Sequence, residues 1–303
     1  MKSRKSNLIQ IGILAVLGLA VILSLLIPQL FRGRKEPQLL SLSVMLRDTD
    51  SSGWTVAREG MEQAADELGA ELRFLTLAAA GDSAEQEALL LREIEGGAAA
   101  LVAVPADPEA LSAALDQWLV VCPVVTLESP MRGAAGTAAP DNALLGQRLA
   151  QALLEDWTGG EEVLLLESAG GGVRTRLEAA QETLEAAGVP VRRAGEREAA
   201  ARWMMAFDAS TTLRLAGERE AEGLDFTLYG VGSATGLTAQ LERGNLAALA
   251  AWSDYAAGYL AVQRAVEAAR GTDGQVEPLG FSIIRKEDIY GSENQKLLFP
   301  VTS

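Results

Sequence analysis

The sequence predicts an α/β fold: two doubly wound, parallel-sheet lobes preceded by one N-terminal transmembrane helix. Three observations lead there. Residues 8–27 form an uncharged apolar run. From residue 39 onward, short apolar runs alternate with stretches of helical periodicity. The alternation passes through two successive sets, and 267 residues beyond position 36 are more than one core usually organises.

The first element, LIQIGILAVLGLAVILSLLI, is interrupted only by Gln10 and Ser24. At 1.5 Å per residue it just crosses a hydrocarbon core of about 30 Å. Lys2, Arg4 and Lys5 precede it, which also fits a secretory signal. The run is longer than a usual signal core, and SLLIPQLFRGRK offers no small-x-small cleavage site. An uncleaved single-pass anchor is therefore expected, with a cleaved signal as the alternative. A lipid anchor would need a cysteine just after the run, and the one cysteine is Cys122. Basic residues stand three against three on the flanks, so their balance does not orient the segment. A short tail before a first apolar segment usually stays inside, which puts the globule on the extracellular or periplasmic side of the cell membrane.

Within the globule, 40–46 (LSLSVML) reads as a strand and 54–68 as a helix. The strands ELRFLTL, AAALVAV and PVVTL follow, separated by the helices DSAEQEALLLREIEGG and DPEALSAALDQWL. Asp82 and Asp107 suit helix starts, because their side chains accept from orphan N–H groups. Gly69 and Gly96-Gly97 suit left-handed exits. The strands hardly alternate, as expected of a parallel sheet covered on both faces. The second set has a helix over 141–157, the strand EEVLLLES and the helix VRTRLEAAQETLEAAG. It goes on with WMMAFDA, a helix from Ser210, the strand DFTLYGVG and a short helix near 237–242. LAALAAW, a helix over 254–270 and a strand near FSIIRK close it.

Charge narrows the function. Six basic residues (Lys2, Arg4, Lys5, Arg32, Arg34, Lys35) and one acid (Glu36) fall in the first 36 positions. Of the 26 basic and 41 acidic side chains, 20 and 40 remain for the globule, a net charge of −20. Such a body repels phosphates, which excludes non-specific nucleic-acid binding. The absence of histidine excludes His-ligated zinc and His-based nucleophilic or general-base chemistry. Cys122 cannot form an internal disulfide and reads as a buried core thiol.

Clefts in doubly wound folds lie beyond the carboxyl ends of strands. The residues there include Trp54, Glu128, Asp141, Asn142, Arg174, Asp208, Ser233, Trp252 and Asp254. Carboxylates, an arginine, hydroxyls and two tryptophans suit a polyhydroxylated or zwitterionic small molecule. Plainer readings stand beside these. Trp54 could pack as a helix-start residue, Glu128 could be solvated, and Arg174 could pair with acids on its own helix. Asp141, Asn142 and Asp254 read first as helix caps. Gly230-Val-Gly232-Ser-Ala-Thr-Gly236 resembles a dinucleotide fingerprint, but its third glycine is displaced by one, and no cofactor is expected.

The segments PVVTLES, APDNALLGQRLA, GGVRTRLEAAQETL, the VG after a late strand and LERG…LAA…SDYAAGYLAV resemble, in order and spacing, the type 1 periplasmic binding proteins. That is the ribose- and galactose-binding family shared with lac-repressor effector domains, and the resemblance covers residues 39–303. It implies two lobes joined by a three-strand hinge, with ligand closing the cleft between them. Lobe one would be 39–134 plus 254–278, and lobe two 135–253 plus 279–303, after an N-terminal segment over 1–36. By position Trp54 would stack on the ligand, and Glu128, Arg174 and Asp208 would hydrogen-bond to it. Ser233, Trp252 and Asp254 complete the set. Ser233 stands where many sugar binders have an aspartate, and Trp252 where a glutamine is common. The stretch VPVRRAGEREAAARWMMAF is too short for the family's strand, loop, full helix and strand, so one lobe-two helix is expected to be truncated or missing. The implied function is a membrane-anchored extracellular solute-binding protein, not an enzyme, needing no metal. It would capture a small polar ligand, a sugar among the candidates, for an ABC permease or a sensor kinase. The alternative is a sensory or structural ectodomain with a degenerate cleft that acts through protein contacts.

Overall fold

A computed structural model describes Ser24 and residues 39–49, 52–116, 121–168, 170–272 and 277–298. The apolar run 8–27 lies outside the described residues except for Ser24. No helix among the described residues is long and apolar enough to cross a membrane.

The first sheet orders its five parallel strands β2-β1-β3-β4-β5, with β1 Leu40–Met45, β2 Ala70–Leu75, β3 Ala100–Ala103, β4 Val124–Leu127 and β5 Gly136–Ala138. The six-stranded second sheet orders β7-β6-β8-β9-β10-β11. Its strands are β6 Val163–Leu166, β7 Val191–Ala194, β8 Trp203–Ala206, β9 Thr227–Val231, β10 Ala248–Trp252 and β11 Phe281–Ile284. Only β11 runs antiparallel to its neighbour. The central strands are buried along their whole length, which explains their near-continuous Val, Leu and Ala.

Helices cover both faces of each sheet. On the first sheet, α1 (Thr55–Leu68) and α8 (Asp254–Ala269) take one face. Its other face carries α2 (Ser83–Glu95) and α3 (Pro108–Leu115). On the second, α4 (Asn142–Asp156) and α5 (Gly171–Ala186) lie opposite α6 (Ala209–Glu222), α7 (Thr235–Arg243) and α9 (Ser292–Leu298). Asp82 and Asp107 cap α2 and α3 through backbone N–H groups, and Gly69 leaves α1 at φ 70°, as the sequence predicts.

Three chain passages join the sheets: β5 to α4, β10 to α8, and α8 to β11. Two of them touch where Leu279 N–H donates to the Ala139 carbonyl at 2.9 Å. The helix α8 follows a strand of the second sheet yet packs on the first, against α1. That crossing needs two glycines. A Cβ on Gly60 would sit 2.0 Å from the Tyr255 carbonyl oxygen, and one on Gly258 1.9 Å from that of Ala57.

Residues 195–202, between β7 and β8, contain no helix. The lobe-two helix expected to be truncated or missing is thus absent from this stretch.

Candidate functional site

A cavity of about 490 Å³ opens between the carboxyl ends of the two sets of strands. Residues after β1 and β4 and at the start of α1 form one wall; α5, α6 and the segments after β9 and β10 form the other. Its apolar lining includes Ala57, Leu127, Leu213 and Ala257, and its polar groups converge from both lobes. That combination suits a small, partly polar guest.

Six of the seven expected residues line this cavity: Trp54, Glu128, Asp208, Ser233, Trp252 and Asp254. Trp54 ends a single 3-10 turn before α1, and its indole N–H donates to Asp48 at 2.7 Å. Asp208 holds two posts at once. Its carboxylate caps α6 through the Thr211 N–H at 2.8 Å and accepts from the hydroxyls of Ser168 and Ser210. Burial pushes its pKa up, but these donors outweigh burial and hold the carboxyl below its ordinary value.

Arg174 does not belong to the group. It is exposed on α5, and Arg176, two residues on and nearly opposite around the helix, enters the cavity wall instead with no exposed surface. The buried stripe of α5 explains the difference. Val173, Leu177, Ala180 and Leu184 face the core at helical spacing, and position 176 falls on that stripe while 174 falls off it. The signal was present in the sequence. Arg47, next to the first strand, was the other cationic group missed.

Glu128 ties the two arginines together. Its carboxylate pairs directly with Arg47 and stands 4.0 Å from Arg176 Nη1. It follows β4 in a left-handed conformation, φ 66°, the one such non-glycine residue among those described. For an L residue that costs about 1 kcal/mol or more, and such strain gathers at functional sites. Across the gap its carbonyl accepts from Asn142 Nδ2 at 2.9 Å, and the next residue, Ser129, accepts the Gly172 N–H at 2.7 Å. Asn142 was expected to be a cap. Asp141 does the capping, through the Leu144 N–H at 2.9 Å, which frees Asn142 to bridge.

Arg176 donates through Nε to Asn142 Oδ1 at 2.8 Å and through Nη1 to the Phe207 carbonyl at 2.9 Å. Its guanidinium lies 4.9 Å from the Trp252 ring centroid, a cation–π stack. Its Nη2 is buried and has no partner. Burial depresses the Arg176 pKa, and the Glu128 charge works against that fall.

Asp254 was expected to cap α8, but Ser253 does so, accepting the Ala256 N–H at 3.1 Å. Asp254 occupies the first turn and accepts from Ser233. Burial raises its pKa, the Glu128 charge adds to the rise, and hydrogen bonds from Ser233 and Trp252 offset part of it. Gly230 inside β9 and Gly232 just after it have packing duties. A Cβ on Gly230 would meet Thr212 Cγ2 at 2.0 Å, and one on Gly232 would meet Leu237 Cδ1 at 2.5 Å. They seat strand on helix, as close packing requires.

The family model for the periplasmic binding protein domain matches residues 42–273. A carbohydrate transporter solute-binding protein from Agrobacterium radiobacter, in complex with D-arabinose, shares the fold at TM-score 0.76 and 18% identity. The alignment covers 87% of this chain and 100% of that one. An ABC transporter solute-binding protein from Agrobacterium vitis, bound with α-D-tagatopyranose, aligns at 0.76 and 15%, covering 86% and 99%. The periplasmic component of an ABC-type sugar transport system from Hahella chejuensis aligns at 0.72 and 23%, covering 81% and 99%. At these identities the likeness is one of fold. The comparison with curated proteins finds no match.

Proposed function

This chain belongs to the periplasmic binding protein family, and from that premise we propose that it captures a small polyhydroxylated solute, a sugar first among the candidates, between its lobes. The observation that carries the reading is the cavity into which both lobes send polar groups, with Arg176 and its unpartnered Nη2 in the wall. Carboxylates accept hydrogen bonds from its hydroxyls, the arginines of the wall face its oxygens, and Trp54 and Trp252 face its apolar edges. Binding energy then selects the closed lobe arrangement, and the closed form is the signal. Residues 8–27 tether the globule outside the membrane, where an ABC permease or a sensor kinase reads it. The chain carries out no chemistry on its ligand.

The test is a thermal melt of the full-length protein against a panel of neutral sugars that includes D-arabinose and D-tagatose, the sugars bound by two of the relatives. At least one member is expected to raise Tm by several degrees in a saturable manner. A flat response across the panel, with unchanged tryptophan fluorescence, sinks the proposal.

A further inference from the structure

The cavity is lined by two cations, Arg47 and Arg176, and four anions, Asp48, Glu128, Asp208 and Asp254. Both arginines make their contact ion pairs with one acid: Arg47 pairs with Glu128, and Arg176 shares it while bonding to Asn142 and the Phe207 carbonyl. The other three carboxylates are held by neutral donors. Asp48 accepts from Trp54, Asp208 from Ser168, Ser210 and the Thr211 N–H, and Asp254 from Ser233. The wall therefore carries a net charge of −2 that no side-chain cation neutralises in contact. Field lines concentrate in such a low-dielectric recess, and a buried anion with like-charged neighbours is disfavoured there.

We propose that this cavity filters solutes by charge: it accepts polyhydroxylated molecules that are uncharged or carry an amino group, and it rejects their carboxylated and phosphorylated derivatives. The inference rests on the solute-binding reading above. Asp254 is the main determinant. Its contact donor Ser233 is neutral, Glu128 lies near it as a like charge, and an ammonium beside it supplies a cation in direct contact. Arg176 does not reverse the preference, because its charge is already shared with Glu128. Burial raises the Asp254 pKa, the direction expected of a carboxylate awaiting such a partner.

The experiment titrates full-length protein calorimetrically with matched series on one pentose and one hexose frame: neutral sugar, amino sugar, sugar acid and sugar phosphate. The amino member is expected to bind at least as tightly as the neutral one, and the acid and phosphate at least tenfold more weakly. An acid or phosphate that binds as well as its neutral parent overturns the charge filter and leaves solute capture standing. Silence from every member overturns solute capture itself, and the filter with it. Asp254→Asn, which keeps the shape of the side chain, is expected to narrow the gap between amino and acidic members about tenfold. An unchanged gap in a folded Asp254→Asn protein removes Asp254 from the role, and Asp48→Asn, tested alongside, then decides whether the remaining carboxylates set the preference.

Discussion

The start of α5 lies against the end of β4 in this structure, and Gly172 makes that approach feasible; under the proposed function this is a closing contact. A Cβ there would lie 2.5 Å from the Glu128 carbonyl oxygen, where ordinary contact begins at 3.4 Å. Gly172→Ala thus asks lobe one to retreat by the difference, about 0.9 Å. The 2.7 Å hydrogen bond from Gly172 N–H to Ser129 then stretches past useful length, and the 2.9 Å bond from Asn142 to the Glu128 carbonyl stretches with it. Two neutral hydrogen bonds at about 1 kcal/mol each cost the closed form about 2 kcal/mol, roughly thirtyfold in the closing equilibrium. Inside α5 alanine is the better helix former by about 0.5–1 kcal/mol, so lobe two itself is not weakened. The assay pairs calorimetry on the best-binding sugar with small-angle scattering. About thirtyfold weaker binding, a larger radius of gyration and an unchanged Tm are expected. Affinity within threefold of the parent would refute the contact as a closing contact, and a Tm lowered by many degrees would place the strain inside lobe two.

Three further predictions follow the same logic. Gly258→Ala drives a methyl onto the Ala57 carbonyl at the α1–α8 crossing, an overpacking of about 2–3 kcal/mol that should lower Tm by roughly 5–10 °C in a differential scan. Glu128→Gln keeps the backbone strain but strips Arg176 of its nearest anion; urea unfolding should register a loss of about 3 kcal/mol, and less than 1 would deny Glu128 its place between the arginines. Asp156 is pushed up by burial, yet hydrogen bonds from Tyr229 and Arg285 prevail and hold its pKa below the ordinary carboxylate value. Its contribution is therefore present above the unfolded pKa and lost as pH falls through the folded one, so Asp156→Asn should flatten the acid limb of a Tm-against-pH curve.

Much of the fold was legible because periodicity and punctuation agree. The strands around 100–103, 124–127 and 163–166 are almost wholly apolar runs, and Asp82 and Asp107 mark the helices on either side of the first of them. The short strand over 136–138 carries no periodic signal in its three residues Gly-Thr-Ala and was legible only as the run before Asp141 and Asn142. The antiparallel sense of the last strand was not legible, because direction depends on where the chain re-enters the sheet after α8. At the site, strand-end position located six residues but could not say which side of α5 faced inward, and so Arg174 was taken in place of Arg176. The helical stripe would have corrected that choice. The roles of Asn142 and Ser129 were hidden, because a hydrogen bond between lobes far apart in sequence leaves no local pattern.

The most direct test of interlobe capture is a calorimetric titration of the full-length protein and its Arg176→Ala variant with the neutral sugar panel. The account predicts saturable one-to-one binding of at least one sugar by the parent and loss of that heat in the folded variant. Undiminished binding by the variant would place the solute elsewhere and contradict the account.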